Sequence, residues 1–233
     1  MIHHIPTTTS TNGDLLVMAA AGATEGTWLR ADSQTGGRGR MGRIWVSHPG
    51  NLYASTLVRL GPGDPAPATL ALVAAVSLAE AVGVFAPDLA LTIKWPNDLL
   101  LDGAKLTGIL LERIGDAVII GMGVNLAHHP DLPDRPATSL AAHGIEVVPA
   151  LFCETLAEIF ARWLARWRGE ELEPVRRAWL AKAHPQGTAL TVHLGDGDAL
   201  QGLFAGLNHD GSLSLRLADG TIRAIHAGDV FLI

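Results

Sequence analysis

The sequence predicts an α+β fold, a mixed β-sheet with helices packed on it, followed by a small C-terminal β-barrel. Nearly continuous apolar stretches at 52–60 and 117–126 are typical of strands inside a sheet, and long helical patterns lie between and after them. After residue 184 the pattern changes to short alternating strands with Asp-Gly turns. We therefore expect two domains, residues 1–184 and residues 185–233.

The elements of the first domain follow from local signals. Ser10, Thr11 and Asn12 precede an alanine-rich run and predict a helix N-terminus, although the same polar groups also suit a ligand. The strand at 91–95 ends before Pro96, which has no N–H to donate. The remaining predictions, in chain order, are a short strand at Trp28, a buried helix at 65–84, a strand that starts at Lys105, an amphipathic helix around 152–167 and a short helix at 173–183.

The second domain is predicted from alternation and turn residues. Leu190, Val192 and Leu194 alternate with polar residues, as do residues 213–217, and residues 230–233 form a last strand. Asp210-Gly211 and Asp219-Gly220 mark tight turns between strands.

Composition narrows the range of functions. The net charge of −6 argues against a protein that holds nucleic acid by bulk electrostatics. Cys153 is the single cysteine, so no disulfide forms within the chain, and its apolar surroundings favour a buried filler over a nucleophile. We find no charged leader before an apolar run and no apolar stretch near 18 residues, and we expect a cytoplasmic protein that does not contact a membrane.

Residues 34–45 form the most informative stretch, with four glycines and three arginines. Glycine allows close approach of the backbone to a ligand, and arginine matches phosphate or carboxylate oxygens. The stretch predicts a loop that closes over a phosphorylated or carboxylated small molecule. The alternative is a solvent-exposed loop that binds no ligand. A dinucleotide fingerprint at Gly37, Gly39 and Gly42 is disfavoured, because the stretch runs into extended residues and not into a helix.

Two further clusters carry charge at strand ends. Lys94, Asn97 and Asp98 either form an ordinary turn or meet a ligand. Lys105 opens an apolar strand, where it either reaches back to water or faces a ligand. Gly108 marks either a bulge or close approach by another group. Gly121 and Gly123 weaken the next strand, and room for a flat ligand on one face of the sheet would explain them.

The adjacent histidines His128 and His129 do not indicate a metal site. They lie in a Pro- and Asp-rich stretch without matching Cys/His spacing elsewhere, so we expect a solvated loop.

These motifs together resemble the biotin protein ligases, the biotin–[acetyl-CoA-carboxylase] ligases, over almost the whole chain. The motifs are Ser10-Thr11-Asn12, Gly37-Arg38-Gly39-Arg40-Met41-Gly42-Arg43-Ile44-Trp45, Lys94-Trp95-Pro96-Asn97-Asp98, Lys105-Leu106-Thr107-Gly108-Ile109-Leu110-Leu111-Glu112 and Gly121-Met122-Gly123-Val124-Asn125. The resemblance implies a class II synthetase-like catalytic domain with a C-terminal SH3-like barrel. It also implies that biotin and ATP, with Mg²⁺, form biotinyl-5′-AMP, and that biotin then passes to a lysine of a biotin carboxyl carrier protein.

The resemblance also implies the site residues. Catalytic roles fall to Lys105, Arg40 and Asp98. Biotin contacts fall to Ser10, Thr11, Asn12, Gln34, Gly37, Arg38, Gly39, Arg40, Lys105, Gly108, Gly121 and Gly123. Contacts to ATP or the adenylate fall to Arg40, Arg43, Trp45, Lys94, Asn97 and Asn125, and no protein ligand for the metal is specified beyond the ATP phosphates. Asp98 is expected either to orient or deprotonate the acceptor lysine or to bind magnesium.

Some expectations stay open at this point. Met41 stands where some family members carry another arginine, so the loop has one fewer positive charge. The motif at Ser10 leaves no room for a DNA-binding winged helix, and we expect no operator binding.

A lipoate–protein ligase and an inert biotin-binding module are the alternative functions. An exposed sheet edge could serve a homodimer or the carrier protein.

Overall fold

A computed structural model describes residues 1–131, 135–194 and 197–232. Among these residues the larger sheet has seven strands in the order β1-β2-β3-β7-β6-β5-β4. Its strands are β1 (Ile2–Thr8), β2 (Trp28–Gln34), β3 (Leu52–Arg59), β4 (Leu91–Lys94), β5 (Asp98–Leu101), β6 (Ala104–Ile114) and β7 (Ala117–Val124). The sheet is mixed, as predicted, because β1 pairs parallel with β2 and the other neighbours are antiparallel.

Four α-helices accompany this sheet in the described part of the chain, α1 (Thr11–Ala20), α2 (Leu70–Phe85), α3 (Pro149–Gly169) and α4 (Glu173–Leu180). The predicted helix start at Ser10 is confirmed, since its side chain caps α1 by accepting a hydrogen bond from the Gly13 N–H. The single cysteine, Cys153, is fully buried on α3, and burial raises the pKa of its thiol to about 12. This helix packs on α2, and Trp167 Nε1 donates to Thr69 Oγ1 at 2.8 Å.

Helix α2 corrects one expectation. With the short 3-10 turn before it, it forms a 19-residue helix, Pro67–Phe85, whose length and mean hydropathy of 2.0 suffice to cross a membrane. The expectation that no apolar stretch approaches 18 residues was therefore wrong. Of the apolar window, 67% is buried inside the protein, and α2 lies between the sheet and α3, as expected for a core helix.

The C-terminal strands form a second, antiparallel sheet of five strands in the order β11-β10-β9-β8-β12. They are β8 (Ala189–His193), β9 (Ala199–Leu207), β10 (Leu213–Arg216), β11 (Ile222–Ile225) and β12 (Asp229–Leu232). The strands predicted at 190–194, 213–217 and 230–233 correspond to β8, β10 and β12, with Ile233 outside the described residues.

Both sheets share one hydrophobic core. Trp95 and Leu99 belong to the same buried cluster as Phe204 and Leu213 of the C-terminal sheet. Across this junction Trp95 Nε1 donates to the Gly211 carbonyl at 3.2 Å. β12 contacts the larger sheet, since Lys94 of β4 donates to the Val230 carbonyl, and this brings the C-terminal sheet to the edge of the site described next.

Candidate active site

A cavity of about 410 Å³ opens between the larger sheet, the Gly/Arg loop and β12, a volume within the usual range for small-molecule sites. Nearly all of the residues predicted from the sequence line it. These are Ser10, Thr11, Asn12, Gln34, Arg38, Gly39, Arg40, Arg43, Trp45, Lys94, Asn97, Asp98, Lys105, Gly108, Gly121, Gly123 and Asn125. The residues are far apart in the sequence, and the fold brings them to one place.

Gly37 is the exception, because it lies in the stem of the loop and not in the cavity lining. Its carbonyl accepts a hydrogen bond from the Trp45 N–H at 2.9 Å. A Cβ on Gly37 would lie 2.7 Å from the Trp45 carbonyl oxygen and 2.8 Å from Ser47 Oγ. A side chain would therefore separate the two arms of the loop.

The floor of the cavity is formed by glycines of β6 and β7, and the Trp45 indole covers part of it. A Cβ on Gly123 would lie 2.6 Å from two indole carbons, and one on Gly108 would lie 2.8 Å from a third. Lys105 Nζ stands 5.6 Å from the centre of the indole ring, within cation–π range. The glycines do leave room for a flat group, as predicted, and in this structure that group belongs to the protein itself.

Lys105, Asp98 and Lys94 form an ion-pair cluster beside this floor. Asp98 Oδ1 accepts a 2.6 Å hydrogen bond from Lys105 Nζ, and its Oδ2 lies 3.4 Å from Lys94 Nζ. The Asp98–Gly108 register of β5 and β6 places the carboxylate next to the glycine floor, although only 8% of Asp98 is exposed. Two ammonium groups on one carboxylate leave a net positive charge at this end of the cavity.

The Gly/Arg loop is held against β12 by further ion pairs. Arg43 pairs with Asp229, and Arg40 Nη1 lies 3.8 Å from the same carboxylate. Arg40 also donates to the Gly228 carbonyl at 3.3 Å and to Asn97 Oδ1 at 3.4 Å. Burial alone would raise the pKa of Asp229, but the hydrogen bond from Arg43 and the charges of Arg43 and Arg40 outweigh burial and lower it.

Neutral polar groups line the opposite end, near Gly121. Gln34 Oε1 accepts from the Thr11 N–H at 2.9 Å, and a Cβ on Gly121 would lie 2.4 Å from Asn12 Oδ1. Gly121 and Gly123 point to the same face of β7, about 7 Å apart. The cavity is therefore neutral and polar at one end and cationic at the other.

The segment after β7 closes one side of the cavity. Lys105 N–H donates to the Pro136 carbonyl at 2.8 Å, and the Thr138 N–H donates back to Lys105 at 3.0 Å. Asn125 secures this pairing, since its Nδ2 donates to the Thr138 carbonyl at 3.0 Å. Near it, His129 contacts Ser139 Oγ at 3.1 Å, and no group of three or more His, Cys, Asp or Glu side chains suited to a metal occurs within the described residues.

Comparison with known families shows which family the chain belongs to. The family model described as "Biotin/lipoate A/B protein ligase family" matches residues 5–125, and that of "Biotin protein ligase C terminal domain" matches residues 189–233. The chain belongs to the biotin protein ligase family.

Individual relatives agree with this assignment. The chain is 39% identical over 236 aligned residues to a biotin–[acetyl-CoA-carboxylase] ligase of Paracoccus denitrificans, covering 96% of this chain and 97% of the relative. It is 34% identical to the bifunctional ligase/repressor BirA of Bacillus subtilis, over 92% of this chain and 69% of that protein. The structure resembles an Aquifex aeolicus biotin protein ligase in complex with biotin and ATP, with a TM-score of 0.89, 25% identity and coverage of 100% and 99% of the two chains.

Sequence reasoning missed several residues at the cavity. Arg135 and residues 229–232 line the cavity but were not named, because they lie outside the motifs and in the other predicted domain. Ser55 and Glu112 contact the neutral end without lining it. Glu112 is the last residue of the motif that starts at Lys105, and Ser55 is a polar residue in an apolar strand. Each is therefore unusual enough to have been found from the sequence.

Proposed function

We propose that this protein is an ATP-dependent biotin–protein ligase that forms biotinyl-5′-AMP and transfers biotin to a lysine of a carrier protein. The observation that carries the proposal is the polarity of the cavity. A neutral polar end at Thr11, Asn12 and Gln34 suits the cyclic urea of biotin, and a cationic end suits its carboxylate together with a nucleotide phosphate.

The cationic end is suited to the first step. Attack of a carboxylate on an α-phosphate brings two anions together, so fixed cations must neutralise the developing charge. Lys105 lies at the glycine floor, and Arg40 of the loop lines the same cavity and contacts Asn97. We assign Lys105 and Arg40 to the reacting groups, Lys94, Asn97, Arg43 and Asn125 to the nucleotide, and Trp45 to the adenine. Arg38, Gly39 and Ser10 are assigned to biotin.

Trp45 must move for this assignment to hold. Its indole covers Gly108 and Gly123, where the ligand is expected, so ligand binding requires the indole to leave that floor. Once moved, it would cover the adenine and exclude water from the mixed anhydride, which water would otherwise hydrolyse.

The carboxylates at the cavity fit Mg²⁺ only if the metal binds together with ATP. Asp98 lies opposite Gly108 of the floor and is already paired with two lysines, whereas Asp229 is paired with Arg43. Mg²⁺ is commonly held by one or two carboxylates plus phosphates, and Asp98 would be its protein ligand here. Bound there, the metal would offset phosphate charge.

Asp98 also has a proposed role in the transfer step. An acceptor lysine must lose a proton before its amine attacks the adenylate, and Asp98 would orient that amine. Both of its carboxylate oxygens already pair with lysine ammonium groups, so its present contacts support orientation of an amine better than removal of a proton.

We propose the biotin carboxyl carrier protein of acetyl-CoA carboxylase as the acceptor, since the Paracoccus relative carries that enzyme in its name. β1 is an edge strand of the larger sheet, and it could pair with the carrier or with a second copy of this chain. A cytoplasmic location and the absence of nucleic-acid binding remain predictions, supported by the net charge of −6 in the second case. A sequence-specific band shift with DNA would refute the prediction that the protein binds no nucleic acid.

The proposed function is tested with purified protein, Mg-ATP and labelled biotin or lipoate in parallel reactions. We expect biotinyl-5′-AMP and pyrophosphate, followed by transfer of label to a biotin carrier domain. Preference for lipoate would establish the alternative ligase, and biotin binding without adenylate would establish a binding module.

A further inference from the structure

Met41 lies at the bend of the Gly/Arg loop and gains little from its position. Its φ of 56° falls in the left-handed region, which disfavours a residue with a Cβ. The side chain is 72% exposed, so burial stabilises it very little. Neither packing nor backbone preference therefore explains a methionine at this bend, and its thioether is open to solvent.

The exposed sulfur contacts the ion pair that holds the loop against β12. Arg43 Nη2 lies 3.7 Å from Met41 Sδ, and the same nitrogen pairs with Asp229. A thioether sulfur is a weak hydrogen-bond acceptor, whereas Nη2 carries two N–H donors. Met41 therefore holds Arg43 only loosely, and Asp229 makes the stronger bond.

Arg43 has a second partner under the proposed function, which assigns it to the nucleotide. The inference that follows rests on this assignment. A guanidinium that moves to a phosphate gives up its contact with Asp229, so any group that holds Arg43 more firmly beside Asp229 competes with ATP. A stronger acceptor in place of the Met41 sulfur would be such a group.

We propose that Met41 is a reversible oxidation site at which hydrogen peroxide lowers the affinity of the protein for ATP. The thioether sulfur attacks one peroxide oxygen, so that an S–O bond forms and the O–O bond breaks. Sulfur loses two electrons, and the second oxygen leaves as water after taking up the proton of the first. The sulfoxide oxygen accepts hydrogen bonds strongly, and beside Arg43 Nη2 it binds the N–H that Asp229 leaves free.

The other methionines provide a comparison within the chain. Met122 on β7 is 2% exposed and Met18 on α1 is partly buried, so peroxide should oxidise Met41 well before either. Met1 is as open as Met41, but it precedes β1 and does not line the cavity. Peptide mass spectrometry should therefore find one added oxygen on Met41 and Met1 first.

Oxidation should raise the KM for ATP about fivefold, because the new hydrogen bond is given up when the nucleotide binds. We expect kcat and the KM for biotin to stay within about twofold of untreated protein. A methionine sulfoxide reductase should restore the original KM. Met41→Gln, which places an amide oxygen near Arg43, should raise the KM for ATP without oxidant. Met41→Leu should keep its KM under peroxide, although Met1 is still oxidised.

A second measurement does not depend on ligase activity. Trypsin cleaves after Arg43 only when that side chain is free, so oxidised protein and Met41→Gln should be cut there about threefold more slowly. Val84→Gln, at an exposed apolar position of α2, is the matched control and should change neither cleavage nor KM. In Arg43→Met, oxidation of Met41 should not change the KM for ATP, because the guanidinium through which it acts is absent.

The outcomes separate this inference from the proposed function. If peroxide oxidises Met41 while the KM for ATP and cleavage after Arg43 stay unchanged, the oxidation site has no such role and the ligase stands. Oxidation of Met122 ahead of Met41 would overturn the inference as well. If wild type forms no adenylate, the proposed function is wrong, and calorimetric binding of ATP together with cleavage after Arg43 decides the role of Met41.

Discussion

Lys105 makes the shortest contact of the cationic cluster, 2.6 Å from Asp98, while Lys94 approaches the same carboxylate to 3.4 Å. Lys94 Nζ is also held by the Val230 carbonyl at 3.1 Å, whereas Lys105 faces the Trp45 ring over the floor. The two lysines are therefore not equivalent. Lys94 is tied to β12, and Lys105 is the ammonium that our proposal places where a carboxylate and a phosphate would meet.

Lys105→Ala should lower the rate of adenylate formation by about 10²- to 10³-fold, because a fixed charge at the reacting groups would be lost. Asp98 keeps Lys94 as a partner, so the fold should persist. Pyrophosphate release measures the rate, and Lys182→Ala at an exposed position is the matched control. Adenylate formation near the wild-type rate would remove Lys105 from the chemistry.

The glycines of β7 allow a comparison within the chain. Gly123→Ala places a methyl group 2.6 Å from indole carbons of Trp45, whereas a Cβ on Gly83 of α2 meets nothing within 4 Å. The proposed ligand site lies on this floor once the indole has left it, so the methyl group would take up ligand space, and we expect Gly123→Ala to weaken binding of biotin and ATP at least tenfold in calorimetric titrations. Gly83→Ala should leave binding unchanged and add about 0.5–1 kcal/mol of stability. Equal binding by both variants would contradict the close fit at the floor.

Residue patterns predicted which residues line the cavity, but not which side chain covers its floor. The glycines, arginines and lysines were found because their types are unusual in apolar strands and short loops. That Trp45 covers the floor was not predictable, since Trp45 and Gly123 are 78 positions apart and strand pairing decides which loop faces which strand. The same holds for Ser55, whose partners Thr11 and Asn12 lie on another element.

At the scale of elements, the Gly/Arg loop and β12 act as a pair. Arg40 and Arg43 reach from the loop to Asp229, a contact that spans 186 positions in the case of Arg43. The loop itself bends at Met41, whose φ of 56° lies in the left-handed region. Its position over the cavity therefore depends on a strand from the other half of the chain.

Asp229→Asn should release the loop without unfolding the protein, because the neutral amide loses both ion pairs. Trypsin should then cut after Arg40 or Arg43 several-fold faster, while the melting temperature changes little. Asp219→Asn, the same substitution at an exposed turn of the same sheet, is the control. Equal cleavage rates in the two variants would show that β12 does not hold the loop.

Three further elements show where sequence patterns fail. β1 was not predicted, because its exposed histidines and Pro6 break the alternation expected of a strand, and it forms through parallel pairing with β2. Strands β9 and β11 were also missed, whereas α3 and β3 were predicted from periodicity and continuous apolarity. Elements with weak patterns form through pairing with their neighbours, and those neighbours cannot be read from the local sequence.

At the scale of the whole molecule, Arg168 joins distant parts of the surface. It donates to Glu25 at 2.6 and 2.8 Å and to the Arg59 carbonyl at 2.7 Å, and it lies 3.3 Å from Asp64. The hydrogen bond from Arg168 lowers the pKa of Glu25 against the opposing effect of burial. A carboxyl group whose pKa is lowered by folding stabilises the fold at pH values above its ordinary pKa. That contribution is lost as the pH falls through the lowered pKa.

Arg168→Met should therefore destabilise the protein most at neutral pH. The difference in the free energy of unfolding between wild type and variant should be constant above pH 5 and should shrink below about pH 4, as Glu25 protonates. Urea titrations at several pH values measure it. Arg162→Met removes a more exposed ion pair with Glu80 and should lower the free energy of unfolding by less than about 0.5 kcal/mol. A pH-independent difference for Arg168→Met would contradict the assignment of its effect to Glu25.

The shared core predicts how the molecule unfolds. Residues of both sheets belong to one buried cluster, and Trp95 bonds to Gly211 across the junction. We expect a single unfolding transition, with fluorescence and circular dichroism coincident. A chain cut after residue 184 should expose apolar surface and precipitate or bind hydrophobic dyes. Two separate transitions would show that the proposed domains fold independently.

The single cysteine has a practical consequence. Cys153 is sealed inside α3 with a thiol pKa of about 12, so it will react slowly with maleimides and iodoacetamides. A cysteine introduced at Ile44, which is 85% exposed on the Gly/Arg loop, would be the one readily labelled thiol. The native chain is thus already suited to carrying one fluorophore or spin label, with no background mutations to remove first.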